Sequence, residues 1–109
     1  MEEIVLPSSI ARILLEITKS NDLRSALLRL IHDYIRLKLD EIACKIKKFE
    51  EKYGMTFEEF VDKIKRGEFG NKAFSFEIER DFWEWESLVT LKKYYETLWR
   101  KWVTQTSTK

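Results

Sequence analysis

His32 and Asp33 are the one place in this 109-residue sequence where imidazole chemistry could start, because the chain has a single histidine. A general base needs an orienting partner and a nucleophile in reach. Neighbours on a helix point about 100° apart, so the spacing predicts that Asp33 is badly placed to orient His32. Cys44 is the only thiol, which excludes an intramolecular disulfide and any cysteine-based zinc cage. Beside Ala43 and next to an apolar line, it reads as a small packed hydrophobe. No catalytic residue and no cofactor site is assigned on these grounds.

Carboxylates offer the next chemistry. Glu77, Asp81 and Glu84 share one helical face at spacings of four and three, and Glu59-x-x-Asp62 gives a second acidic pair. Facing carboxylates can hold Mg²⁺ with a nucleotide's phosphates, as in all-helical nucleotide pyrophosphatases. Those enzymes carry Glu-x-x-Glu where this chain has Asp81-x-x-Glu84, and the two pairs here come in the reverse order. A solvated or ion-paired acidic face is the simpler reading. Metal-dependent nucleotide hydrolysis stands as the alternative, and no metal ligand is assigned.

Aromatic residues carry the strongest signal. Trp83, Trp85, Tyr94, Tyr95, Trp99 and Trp102 fall within twenty residues, more than one side of one helix buries. Trp and Tyr anchor interfaces, so the expected function is protein–protein interaction, with a second copy or another small protein as partner. The expected contact residues are Leu39, Ile42 and Ile46 on one helix and Phe82, Trp83, Trp85, Trp99 and Trp102 on another. A further alternative lies at the N-terminus. Glu3-Ile4-Val5-Leu6, two helices and a Ser20-Asn21 turn follow the order of a ribbon-helix-helix DNA binder. Base readout from such a strand needs Arg, Lys, Asn or Gln at alternate positions, and none stands there.

These residues must be held by helices. Three glycines and one proline leave little punctuation, and long uninterrupted segments favour helix. Pro7 closes the strand-compatible run Glu3 to Leu6, and Ser8 or Ser9 is positioned to cap a helix carrying Ile10, Ile13, Leu14 and Ile17. From about 22 to 53 there is neither Gly nor Pro. Leu23, Leu27, Leu30 and Tyr34 form a first seam, which shifts phase through Ile35. It resumes as Leu39, Ile42, Ile46, Phe49 and Tyr53, and Gly54 is placed as the stop. At 1.5 Å per residue this helix spans roughly 45 to 50 Å, longer than a compact domain of this size. Thr56 and Glu59 form a capping box for a short helix with Phe57, Phe60, Val61 and Ile64 inward. A loop from Glu68 to Phe74 follows, and Ser75 caps the last helix, about 75 to 103. Ile78, Phe82, Trp85 and Leu88 lie on one line there, continued by Leu91, Tyr95, Leu98 and Trp102.

The fold class expected is all-α, an antiparallel helical hairpin or bundle built on the long helix, forming a single domain over 1–103 with a frayed tail at 104–109. Charged residues make up 36% and hydrophobic ones 44%, a folded composition with a thermophile's scarcity of labile amides. Net charge is +1, no global reason to expect nucleic acid. Charge is blocky: residues 12–48 carry nine bases and five acids, and residues 77–86 five acids and one base. Such blocks suit contacts between segments of opposite sign. No run approaches the ~20 apolar residues of a membrane span, and the start lacks a signal-peptide pattern. With one cysteine, a cytoplasmic location is expected.

At Lys52-Tyr53-Gly54-Met55-Thr56-Phe57-Glu58-Glu59-Phe60 and at Asp81-Phe82-Trp83-Glu84-Trp85-Glu86-Ser87-Leu88-Val89-Thr90 the sequence resembles small prokaryotic proteins, common in archaea, that are antitoxin-like. The resemblance covers roughly residues 40–95. It implies a non-enzymatic protein whose partner is a toxin encoded beside it, bound through the C-terminal helices.

Overall fold

The computed structural model describes residues 5–70 and 75–107, and among them the regular structure is helical throughout. The helices are α1 (Ser8–Thr18), α2 (Leu23–Tyr53), α3 (Phe57–Lys65) and α4 (Phe76–Ser107). The all-α class holds. Val5 and Leu6 form no strand, while Glu3 and Ile4 of the expected strand lie outside the described residues. The chain divides into two compact units, Met1–Leu37 and Lys38–Lys109, and α2 contributes to both.

In the first unit, α1 begins one residue earlier than a serine cap would place it. Ser8 is already helical and no side chain caps the helix. Instead the Pro7 carbonyl accepts from the N–H groups of Ile10 and Ala11 at 3.1 and 3.0 Å, and proline's fixed φ suits the position. The helix stops at Lys19, which takes a left-handed φ of 52°, and Ser20 N–H donates back to the Leu15 carbonyl. Asp22 then caps α2, accepting from Ser25 N–H and from the Ser25 hydroxyl, each at 2.9 Å. Leu14, Ala26 and Ile35 are buried. The expected first seam is only half covered. Leu23 and Leu27 are partly buried, but Leu30 and Tyr34 are 40% and 50% exposed.

The second unit is organised around one tryptophan. Gly54, φ 66°, ends α2, and both it and Met55 donate to the Glu50 carbonyl. The Thr56 hydroxyl accepts from Glu59 N–H at 3.2 Å while the Glu59 carboxylate accepts from Thr56 N–H at 2.9 Å, so the capping box forms. Ser75 Oγ accepts from Ile78 N–H at 3.2 Å and caps α4. Trp85 and Phe60 are fully buried, with Ile78 beside them. The Trp85 ring lies against Phe49 and Tyr53 of α2 at 5.4 and 5.9 Å and against Phe57 and Phe60 of α3 at 5.4 and 5.1 Å. Along α4, Val89 packs on this core, whereas Leu91 of the expected line is exposed. The helix continues to Ser107, past the expected end at 103, with Thr106 Oγ1 donating to the Trp102 carbonyl at 3.0 Å. Residues 108–109 lie outside the described residues.

Candidate functional site

Two regions present groups beyond ordinary packing: a buried carboxylate in the second unit and exposed apolar stripes in the first.

Asp81 sits in the first half of α4, on the flank of the Ile78–Phe82–Trp85 line, and is 3% exposed. Its carboxylate accepts from Lys52 Nζ at 2.6 Å and from the Tyr53 hydroxyl at 2.5 Å. Lys52 also donates to Glu77 at 2.8 Å, and Arg80 reaches the other Asp81 oxygen at 3.6 Å. Burial pushes the Asp81 carboxyl up, but the hydrogen bonds from Lys52 and Tyr53 and the nearby positive charges outweigh it, holding the group below its ordinary value. Burial and the bond to Asp81 push the Tyr53 phenol up to about 12. The bonds to Asp81 and Glu77 raise Lys52 above its ordinary value. This is a closed structural ion pair, its charges matched one against another.

That arrangement decides what the four candidate carboxylates can do. Asp81 is committed to Lys52 and Tyr53. Glu59 is committed to the capping box, and Asp62 pairs with Arg66 at 3.1 Å. Glu84 lines an open groove of ≈ 510 Å³ with Lys45, Lys48, Lys52, Phe49, Ser87 and Leu88. The two acidic pairs do not converge, and among the described residues no three metal-ligating side chains cluster.

His32 and Asp33 do meet, contrary to the expectation from helix geometry. Nδ1 and Oδ1 are 3.0 Å apart, with both side chains about half exposed. The same carboxylate takes Arg29 Nε at 3.0 Å, and bonding to His32 and then Arg29 holds Asp33 below its ordinary value. The lone thiol is no nucleophile for this pair: Cys44 lies twelve residues along α2, about 18 Å away. Cys44 is also exposed rather than packed, since the buried line on this part of α2 runs through Ile42 and not through its neighbours.

The residues expected at a partner interface separate. Ile42 and Trp85 are buried within the chain at 5% and 0%, so their apolar surface is already used. Leu39, Ile46, Phe82, Trp99 and Trp102 are partly buried. Trp83 is 62% exposed, its ring edge-on to Phe82 at 5.3 Å.

Sequence reasoning missed the exposed aliphatics of the first unit. On α1, Ile10, Ile13 and Ile17 are 49%, 55% and 65% exposed, and on α2, Leu30 and Leu37 are 40% and 57% exposed. The spacings, three and four on α1 and seven on α2, set each group on one helical stripe. The signal was present as ordinary core periodicity. It could not say which core positions would find a neighbour.

No family model, curated protein or solved structure matches the chain. No helix among the described residues is long and apolar enough to cross a membrane.

Proposed function

We propose that this protein is a non-enzymatic protein–protein interaction module, in which the second unit is a self-sufficient helical scaffold and the first presents the binding surface. One observation carries the reading: aliphatic side chains in periodic stripes on α1 and α2 stand 40–65% exposed. Single exposed hydrophobics are ordinary, but stripes of them mark contact surfaces. The first unit, at 37 residues, is of a size that ordinarily needs a partner to bury enough apolar surface.

The scaffold reading rests on contact order along the helices. Lys52 meets Asp81 and Phe49 meets Trp85, so partner positions fall on α2 as they rise on α4, the pattern of an antiparallel helical hairpin. Unlike the stripes, its central aromatics are buried, and Asp81 is neutralised in place. A hydrolase built on those acids has no such support. A partner encoded next to this protein, as in antitoxin-like families, is part of the proposal.

Photo-crosslinking tests it directly. A benzophenone amino acid at Ile13 or Leu37, introduced in the cells that make the protein, should give a discrete, saturable adduct. The same group at the polar position Arg29 should not. Absence of any adduct from both apolar positions would refute the module.

A further inference from the structure

The exposed part of α2 is not a featureless apolar patch. Leu23, Leu30 and Leu37 recur every seven residues, and Leu27 and Tyr34 stand between them at alternating steps of four and three. In heptad terms the leucines take the d positions, where leucine suits a two-stranded parallel coiled coil, and Leu27 and Tyr34 take the a positions. Exposure climbs along this seam, from partly buried Leu23 and Leu27 to Leu30 at 40%, Tyr34 at 50% and Leu37 at 57%.

The flanking charges select a partner. Asp33 falls at a g position and Lys38 at the following e position. In a parallel, in-register pair, g of one helix faces e of the next heptad on the other, five residues on. Asp33 would therefore face Lys38 of the second helix, and the two-fold axis repeats the contact. Asp33 now meets Arg29 and His32, each at 3.0 Å, and Lys38 lies 3.9 Å from Glu41; ion pairs this accessible to solvent are each worth little. An antiparallel pair would instead face e positions with e positions, setting Lys38 against Arg24. The apolar seam ends where Glu41 takes the next a position, so the pairing does not extend past Lys38.

We infer that α2 pairs with a second copy of this chain, in parallel and in register, through Leu30, Tyr34 and Leu37, with Asp33 and Lys38 exchanging ion pairs across the two-fold axis. This rests on the interaction-module reading and adds to it a second copy of this chain as the occupant of the α2 seam. This seam buries less than a standard interface, so the dimer is no tighter than about micromolar.

Sedimentation equilibrium from about 1 µM to about 1 mM, which runs upward from that limit, should show a dimer that dissociates on dilution. Leu37→Glu lies on an exposed position and should leave the helix content unchanged while making the protein monomeric. Lys38→Glu, which sets one carboxylate against another at Asp33, should weaken the dimer, and adding Asp33→Lys should restore it. In a Cys44→Ser background, Leu37→Cys should oxidise rapidly to a disulfide-linked dimer because parallel pairing brings each residue 37 to its own copy, while Arg29→Cys should not. A monomer at the highest concentration, or cross-linking no faster at position 37 than at 29, overturns the second-copy proposal. Such a monomer that still forms a photo-adduct to a different protein at Leu37 leaves the module reading standing. Loss of both removes both.

Discussion

Replacing Tyr53 with phenylalanine isolates one bond of the buried ion pair. The ring's contacts with Phe60 at 4.6 Å and Trp85 at 5.9 Å are kept, and only the hydroxyl that donates to Asp81 is lost. Asp81's side chain is 4% exposed, so water cannot readily replace that donor. A hydrogen bond to a charged group is worth about 1.5–3 kcal/mol, and Tyr53's partial exposure places the cost near the lower end, about 1.5–2 kcal/mol. Urea unfolding at pH 7, followed by circular dichroism, should show that loss. In an Asp81→Asn background the same change should cost at least about 1 kcal/mol less, because the charged acceptor is gone. The pH dependence has a fixed sign. Asp81 lies below its ordinary value, so its contribution is present above the unfolded carboxyl range and is lost as pH falls through the folded value. Tyr53 is raised to about 12, so its contribution is present below the ordinary phenol value and is lost as pH rises toward 12. The difference between wild type and Tyr53→Phe should therefore be flat at neutral pH and shrink at both extremes. A Tyr53→Phe protein within about 0.3 kcal/mol of wild type at pH 7 would refute the reasoning, given the expected 1.5–2.

Other changes probe the scaffold and the alternative metal chemistry. Trp85→Ala should cost about 3–5 kcal/mol in the same unfolding assay, since it empties the centre of the aromatic cluster. Ile42→Asp should abolish cooperative unfolding, because it places an unpaired charge at a 5% exposed position. Gly54→Ala should cost about 1 kcal/mol although nothing lies within 4 Å of the added Cβ, because the backbone stays left-handed there. Millimolar Mg²⁺ or Mn²⁺ should leave the melting temperature unchanged; a rise would show that the acidic residues bind a metal after all.

The local chemistry of the helices was readable from the sequence, because a cap or a stop depends on neighbours within four residues. Thr56 with Glu59, Ser75 and Gly54 act as their types and spacing dictate, and the periodic apolar lines became α1 to α4. Ser8 misled because Pro7 is an equally good helix start. Burial could not be read in the same way. Periodicity marks Leu27, Leu30, Ile42 and Trp85 alike as core, yet whether each is covered depends on where another helix passes. Trp85 meets two helices and vanishes; Leu30 does not. The Lys52–Tyr53–Asp81 pair, joining positions 28 and 29 residues apart, left no local trace beyond an acid on the edge of an apolar line. The sequence by itself determined which segments are helical and, at the Gly54 stop and the Thr56 and Ser75 caps, where they end or begin, because those are short-range energies. Only the tertiary structure decided which apolar faces are covered within the chain and which stay exposed, because that depends on contacts between residues far apart in sequence.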